Sequence, residues 1–459
     1  GKLNYRKWSE TELKLNLTYA SFYSIYKHSE NRYTEDWFKK QTRQVEMSEK
    51  VNQTREDFQP ILLGTDFNCY GMARSFYQQY GIKSIAYGVM HMAPTRYTKL
   101  VDVHVIEGFN EDPVFIETMR KITANLDPKK KYLLLSCGDG YTELIAKHLD
   151  ELKEHFICPY VDADLFNKLG TKETFYEAAE KYGLPYPKTK IITKEEVESG
   201  KAIELPFDFP IALKPSDSVE WLDIQFEGRK KAYVLDKREQ FDELMPKIYK
   251  AGYTGKMIAQ DFIPGDDSNM RTVNAYVDSN HNVRMISLAH PLLEDPSPVA
   301  VGNYMVILPE KDMAIYKTIQ KFLEEVKYVG FADFDMKYDR RDKQFKIFEI
   351  NLRQGRSSYY CTLNGYNLAK YVVDDVIDHK PFTGTDYAEG NKLWLNAPKK
   401  VFYQYAKENE YKEKAKKLLE AGQWGTTAFD KNDSLKQRLL MHYSFWLINK
   451  NYQKYFVQR

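Results

Sequence analysis

The stretch Ile347 to Ser358, IFEINLRQGRSS, places a carboxylate, an amide and two guanidinium groups at the end of an apolar run. Side chains alternate across a strand. In FADFDMKYDRRDKQFKIFEINL, a hairpin turning at DRRDK, Asp333, Asp335 and Lys337 therefore share one face, and Ala332, Phe334, Met336 and Tyr338 the other. The same alternation groups Phe345, Ile347, Glu349 and Asn351 on the return strand. Folding the hairpin then gathers Asp335, Glu349 and Asn351. Two carboxylates and an amide oxygen form a hard-ligand set suited to Mg²⁺, which shares its remaining positions with water and phosphate oxygens. Arg353 and Arg356 follow as clamps for anionic oxygens. A network in which Asp335 and Glu349 simply pair with those arginines fits the same residues, and alternation does not choose between the two.

Two further stretches carry polar groups at strand ends. FPIALKPSDS ends an apolar strand on Lys214 with proline next, so the ammonium leaves the core edge toward a bound group or toward solvent. MIAQDFIPGDD reads as a strand from Met257 to Ile263 running through a Pro-Gly turn into two carboxylates. Such a strand end offers N–H and C=O groups to a flat heterocycle and an acid to ribose hydroxyls; an ordinary acidic turn has the same composition.

These groups need a scaffold. At 459 residues and 54.0 kDa the chain is long for one core, and 43% hydrophobic with 29% charged residues is the balance of a soluble globular protein of two or three domains. A net charge of +2 argues against nucleic-acid binding through bulk electrostatics. Four cysteines without CxxC spacing, and no run of about 18 apolar residues, point to a reducing, cytoplasmic setting.

Residues 1–57 are polar and Tyr-rich, with LKLNLTYASFYSIYKH the one amphipathic helix candidate. From residue 58, PILLGTDFNCYGMARSFYQQYG reads as strand, turn and a helix starting near Tyr70; SIAYGV, VDVHVI and KYLLLSCGDG continue a parallel α/β domain to about residue 160. GDG is a tight turn that either starts the helix YTELIAKHL or binds a ligand. Residues 161–390 become mixed α and antiparallel β, with a second hairpin turning at SNHN, and 391–459 read as a basic helical segment. Its end, LMHYSFWLINKNYQKYF, packs on the body or meets a membrane surface or an anionic substrate.

The order of these features, from Lys172 before a helix to Ser358, resembles the ATP-grasp superfamily. Within it, ILLGTDFNCYGMARSF, QDFIPGDDSNMR, HPLLEDPSP, FEINLRQGRSSYY and PKKVFYQYAKENE are similar to the D-aspartate ligase family of Gram-positive cell-wall synthesis, from about residue 58 onward. The resemblance implies an ATP-grasp fold with a preceding parallel α/β domain, ATP held between two α+β lobes, and a helical C-terminal segment. It implies that Lys172 and Lys214 contact nucleotide phosphates, Gln260, Asp261, Phe262 and Ile263 the adenine edge, and Asp267 the ribose. Asp335, Glu349 and Asn351 would carry Mg²⁺, with Arg271 and Arg353 steadying phosphoryl and acyl-phosphate oxygens. The implied substrates are D-aspartate and a UDP-MurNAc-pentapeptide, whose lysine amine is joined to the β-carboxylate. Arg356, Ser357 and Ser358 suit the α-carboxylate of aspartate, although Ser is equally a helix cap. His290 is a candidate base, or a structural histidine. Departures from the superfamily are a glycine-poor loop after Lys214 and Asp261 in place of Glu. Other ATP-grasp ligases and a non-catalytic nucleotide-binding scaffold are the competing readings.

Overall fold

The computed structural model describes residues 55–457 apart from 218, 219, 231, 299 and 301 and the side chain of Leu222. The helix candidate within residues 1–57 lies outside them. By contacts the chain divides into two compact units, which among the described residues are Ile191–Leu205 with Phe209–Ala259, and the remainder.

In the larger unit the first sheet forms from apolar runs that can be buried on both faces. Strands Val101–Val105, Ser84–Gly88, Phe58–Leu63 and Lys131–Ser136 follow one another across it in that order, all parallel. The helix expected near Tyr70 begins at Phe67, because the Asp66 carboxylate accepts from the N–H groups of Asn68 (2.9 Å) and Cys69 (3.3 Å) and so caps it. It ends at Tyr80 on Gly81, whose φ of 66° favours glycine. Phe58–Leu63 and Lys131–Ser136 are neighbours from which the chain runs out to opposite sides. The turns after them therefore border the crevice at the sheet's switch point.

The second sheet is mostly antiparallel. Its order is Gln344–Asn351, Gly330–Asp339, Met270–Val277, Val283–Glu294, Tyr304–Glu310, Leu393–Leu395 and Trp424–Gly425, with Asp386–Tyr387 beside Val283–Glu294. Both hairpins read from the sequence are present. One face buries Tyr276, Ala289, Ile307 and Phe331 against Tyr70, Phe76, Leu368 and Val372. On the other, Phe334 meets Phe322 of helix Met313–Glu325 edge to face at 6.2 Å.

The site hairpin departs from strict alternation. Its register shifts between the pairs Asp335–Glu349 and Met336–Ile347, leaving Phe348 as an extra residue, a β-bulge. Phe345 and Ile347 consequently share the face of Tyr338 and Met336, with Ile347 and Met336 buried, while Glu349 and Asn351 stand opposite Asp335 and Asp333. The grouping of Phe345 and Ile347 with Glu349 is thereby corrected.

The C-terminal segment holds helices Lys399–Tyr405, Glu410–Glu420 and Leu435–Tyr455, and also the two short strands that extend the second sheet. The last helix turns Gln437, Met441, Phe445, Asn449 and Tyr452 inward. Among the described residues no helix is long and apolar enough to cross a membrane.

The smaller unit is built on a four-stranded sheet in the order Thr189–Ile192, Met257–Asp261, Ile211–Pro215 and Tyr233–Leu235; its first two strands carry the chain across the division. Helix Arg238–Lys250 buries Phe241, Met245, Ile248 and Tyr249, and Trp221 meets Tyr253 edge to face at 5.2 Å.

Candidate active site

Asp333, Asp335 and Lys337 project from one face of strand Gly330–Asp339. The bulge brings Glu349 and Asn351 to that face, and Thr272 and Asn274 join it from the neighbouring strand, paired with Asp335 and Asp333. Asp333 accepts from Thr272 Oγ1 on Oδ1 and from Asn351 Nδ2 on Oδ2, each at 3.0 Å. Asp335 Oδ1 accepts from the Tyr304 hydroxyl at 2.7 Å. Burial, together with the charges of Asp333, Glu349 and Glu294, pushes the Asp335 carboxyl well above the ordinary carboxylate range, against the lowering effect of the Tyr304 bond. Asp333 is raised as well, by burial and Glu349, with Arg353 pulling the other way.

The ion pairs of the two arginines go elsewhere. Arg353 ion-pairs with Asp139 through Nε (2.7 Å) and donates to it from Nη2 (2.9 Å). The GDG turn thus anchors this side chain. Arg356 lies over the Phe67 ring, 3.9 Å from Asp66 Oδ2. Between them Gln354 is fully buried, its Nε2 donating to Asn68 Oδ1 (3.0 Å) and to the Ser136 carbonyl (2.8 Å). The loop after the hairpin therefore fills the switch-point crevice of the first sheet. Gly355 donates its N–H to Asn274 Oδ1 at 2.8 Å, and a Cβ there would stand 2.9 Å from Asp333 Oδ1, so only glycine allows this approach. Ser357 and Ser358 are buried, and Ser358 heads helix Tyr359–Leu363 without its hydroxyl capping it.

The strand of the expected adenine edge ends at Asp261, two residues sooner than the sequence suggested. Gln260 Nε2 donates to Thr189 Oγ1 (2.9 Å), Asp261 is gripped by both terminal nitrogens of Arg341 (3.1 and 2.6 Å), and Ile263 is buried. Lys337 reaches over Phe262 and donates to the Gly265 carbonyl at 2.8 Å; burial lowers its pKa, opposed by the charges of Asp267 and Asp266. Asp267 opens a short 3₁₀ turn and lines a cleft with Glu294, Asp295, Tyr405 and Phe456. Lys172 is the first residue of helix Lys172–Lys181. Lys214 belongs to the smaller unit, next to last in its strand.

Arg271 and His290 are not brought to the acids. Arg271 pairs with Met336 and so faces the opposite side of the sheet from Asp335. There its Nε pairs with Glu310 at 2.7 Å between the rings of Phe345 and Tyr411. His290 is fully buried and its Nδ1 lies 2.8 Å from Glu310. Burial lowers its pKa and the charge of Arg271 adds to this, against the Glu310 bond. Expectations of a phosphoryl contact for Arg271 and of a base at His290 give way to one buried structural cluster.

Sequence reasoning did not single out Asp333, Thr272, Tyr304 or Asp139. Two of them carried a signal: Asp333 stands two residues before Asp335 on the same face, and Asp139 is the centre of the GDG turn.

The donors fit a hard divalent cation. Among the described residues no three His, Cys, Asp or Glu side chains gather as a metal group, and the set here is two carboxylates and an amide. The charges that bear most on Asp335 are all negative, which is the environment a bound cation would relieve. With Arg353 held by Asp139 and Arg356 beside Asp66, the alternative of an Arg–carboxylate network at Asp335 and Glu349 is not what the structure shows.

No family model matches the chain. It is 55% identical over 409 residues to the D-aspartate ligase of Enterococcus faecium, covering 87% of this chain and 97% of that one. Its fold is similar to the L-amino acid ligase of Bacillus licheniformis, with a TM-score of 0.52 and 15% identity over 72% of this chain and 76% of that one. It is similar also to the N5-carboxyaminoimidazole synthetase of Staphylococcus aureus solved with ADP, with a TM-score of 0.53 and 15% identity over 73% and 82%. Near-complete coverage at this identity, on an ATP-grasp fold, means that the chain belongs to the D-aspartate ligase family of ATP-dependent carboxylate–amine ligases.

Proposed function

We propose that the chain joins the β-carboxylate of D-aspartate to the ε-amine of the stem-peptide lysine in UDP-MurNAc-pentapeptide. The observation that carries this reading is the 55% identity, over 87% of this chain and 97% of the relative, to the Enterococcus faecium D-aspartate ligase. In this reading a carboxylate oxygen of aspartate attacks the terminal phosphorus of ATP as the bond to ADP breaks. The lysine nitrogen then attacks the acyl carbon, phosphate leaves, and the nitrogen gives up its proton.

Such chemistry asks the protein for charge neutralisation and in-line placement more than for covalent help. Asp335, Glu349 and Asn351 would hold Mg²⁺, which would supply positive charge to offset that of the transferring phosphoryl oxygens. Arg353, anchored by Asp139, would steady the acyl-phosphate oxygens. Lys172 and Lys214 contact the nucleotide phosphates, residues 260–263 the adenine, and Asp267 the ribose. Arg356 with Ser357 and Ser358 takes the α-carboxylate of aspartate, a role favoured by the absence of a capping bond at Ser358.

The test is ADP release from ATP and Mg²⁺ with D- or L-aspartate, each with and without UDP-MurNAc-pentapeptide. Release that needs D-aspartate and the acceptor together is expected. Release with another amino acid in preference, or none in any mixture, overturns the reading.

A further inference from the structure

We propose that Tyr304 and Asp333 are positioning residues, which decide which atom of Asp335 and of Asn351 faces the cation. The inference rests on the cation site proposed above and concerns how its donors are oriented. Asp335 and Asn351 each have two polar atoms that could be presented, and only some choices are useful. An amide that turned its NH₂ toward a cation would repel it, and a carboxylate free to rotate would lose orientation on binding.

The structure ties back one atom of each. The Tyr304 hydroxyl takes Asp335 Oδ1 at 2.7 Å, leaving Oδ2. Asp333 takes the Nδ2 of Asn351 at 3.0 Å, leaving Oδ1 as the remaining atom of that amide. Asp333 is itself held: Thr272 Oγ1 donates to its other oxygen at 3.0 Å, and Gly355 lies so close that a Cβ would fall 2.9 Å from it. An ionised carboxylate can only accept, so with Asp333 in that form the Asn351 amide has one orientation. Tyr304 comes from the strand Tyr304–Glu310, on the far side of two intervening strands from the hairpin. Its reach to Asp335 is not a neighbour contact along the ladder.

An amide at position 333 removes the constraint, because it can donate to Asn351 and let that residue turn its NH₂ outward. Exchanging both residues restores the pattern: the amide at 333 donates to a carboxylate at 351, whose second oxygen faces the cation. The experiment measures Mn²⁺ affinity by electron paramagnetic resonance, in the presence of a non-hydrolysable ATP analogue, with circular dichroism to establish the fold. Asp333→Asn is expected to weaken Mn²⁺ binding roughly tenfold to a hundredfold, and Tyr304→Phe about tenfold. The double variant Asp333→Asn/Asn351→Asp is expected to recover most of that loss, which damage to packing alone would not allow. Parental affinity in folded Asp333→Asn, or a double variant no tighter than the single, overturns the proposal. Glu349→Gln in the same assay tests the site itself. Binding unchanged there removes the cation site and this inference with it, whereas loss there beside an unaffected Asp333→Asn removes only the positioning role.

Discussion

Asp335 and Asp339 project from the same face of one strand, four residues apart, and titrate in opposite directions. At the turn end of the hairpin, Asp339 is ringed by Arg341, through Nε at 2.9 Å and Nη2 at 2.7 Å, and by Lys346 at 2.7 Å. Hydrogen bonds from Arg341 first, and from Lys346 as well, hold its carboxyl well below the ordinary range against the effect of burial. At the open end Asp335 has a phenol for a partner and acids for neighbours, and its carboxyl is raised. The folded chain completes one end with its own cations and leaves the other dependent on something it does not contain. Buried charge that the protein does not compensate is a mark of a functional site.

The sharpest break in this comparison comes from the open end. Glu349→Ala is expected to cut turnover by about 10³-fold, since it removes a ligand of the cation that would offset phosphoryl charge in the reaction. An unaltered thermal melt would show that the fold stands. Turnover close to parental would sink the assignment of Glu349.

The closed end should respond in the opposite sense. Asp339→Asn leaves Arg341 and Lys346 short of their shared acceptor and is expected to lower stability by about 2 kcal/mol in denaturant melts. Asp335→Asn, which relieves repulsion in the cation-free protein, should raise it by about 1 kcal/mol. Equal signs for the two would erase the contrast.

The smallest effect is the pH dependence. A folded Asp335 that binds its proton more tightly than the unfolded chain, whose ordinary value is 3.8, favours the folded state in acid. That contribution fades as pH rises from about 4 through the raised folded value. Asp339, with its folded pKa lowered, contributes above the unfolded value and loses that contribution as pH falls through its own folded pKa. Thermal melts of the cation-free protein across this range should lose the first slope in Asp335→Asn and the second in Asp339→Asn. Mg²⁺ with ATP should remove the first alone.

Much of this was legible in the residue order. Period-two alternation gave the acid face, and the strand–turn–helix pattern gave the first sheet, because both depend on local spacing. The bulge at Phe348 was not legible, since one additional residue leaves no trace in composition. Nor were the partners that come from far along the chain: Tyr304 is 31 residues from Asp335, Thr272 is 61 from Asp333, and Asp139 is 214 from Arg353. Arg271 misled for a related reason: its residue type suits phosphate, but its ladder partner, Met336, decides which way it points.

The seating of Arg353, Gln354 and Arg356 in the crevice of the first sheet bears on how such enzymes can be recombined. A ligase assembled by exchanging whole segments would receive its acid hairpin from one parent and Asp66, Asn68 and Asp139 from another. The hairpin is therefore not a portable cassette. Its last residues are inherited together with two turns encoded 286 and 214 residues earlier, and a chimera that separates them must rebuild that fit.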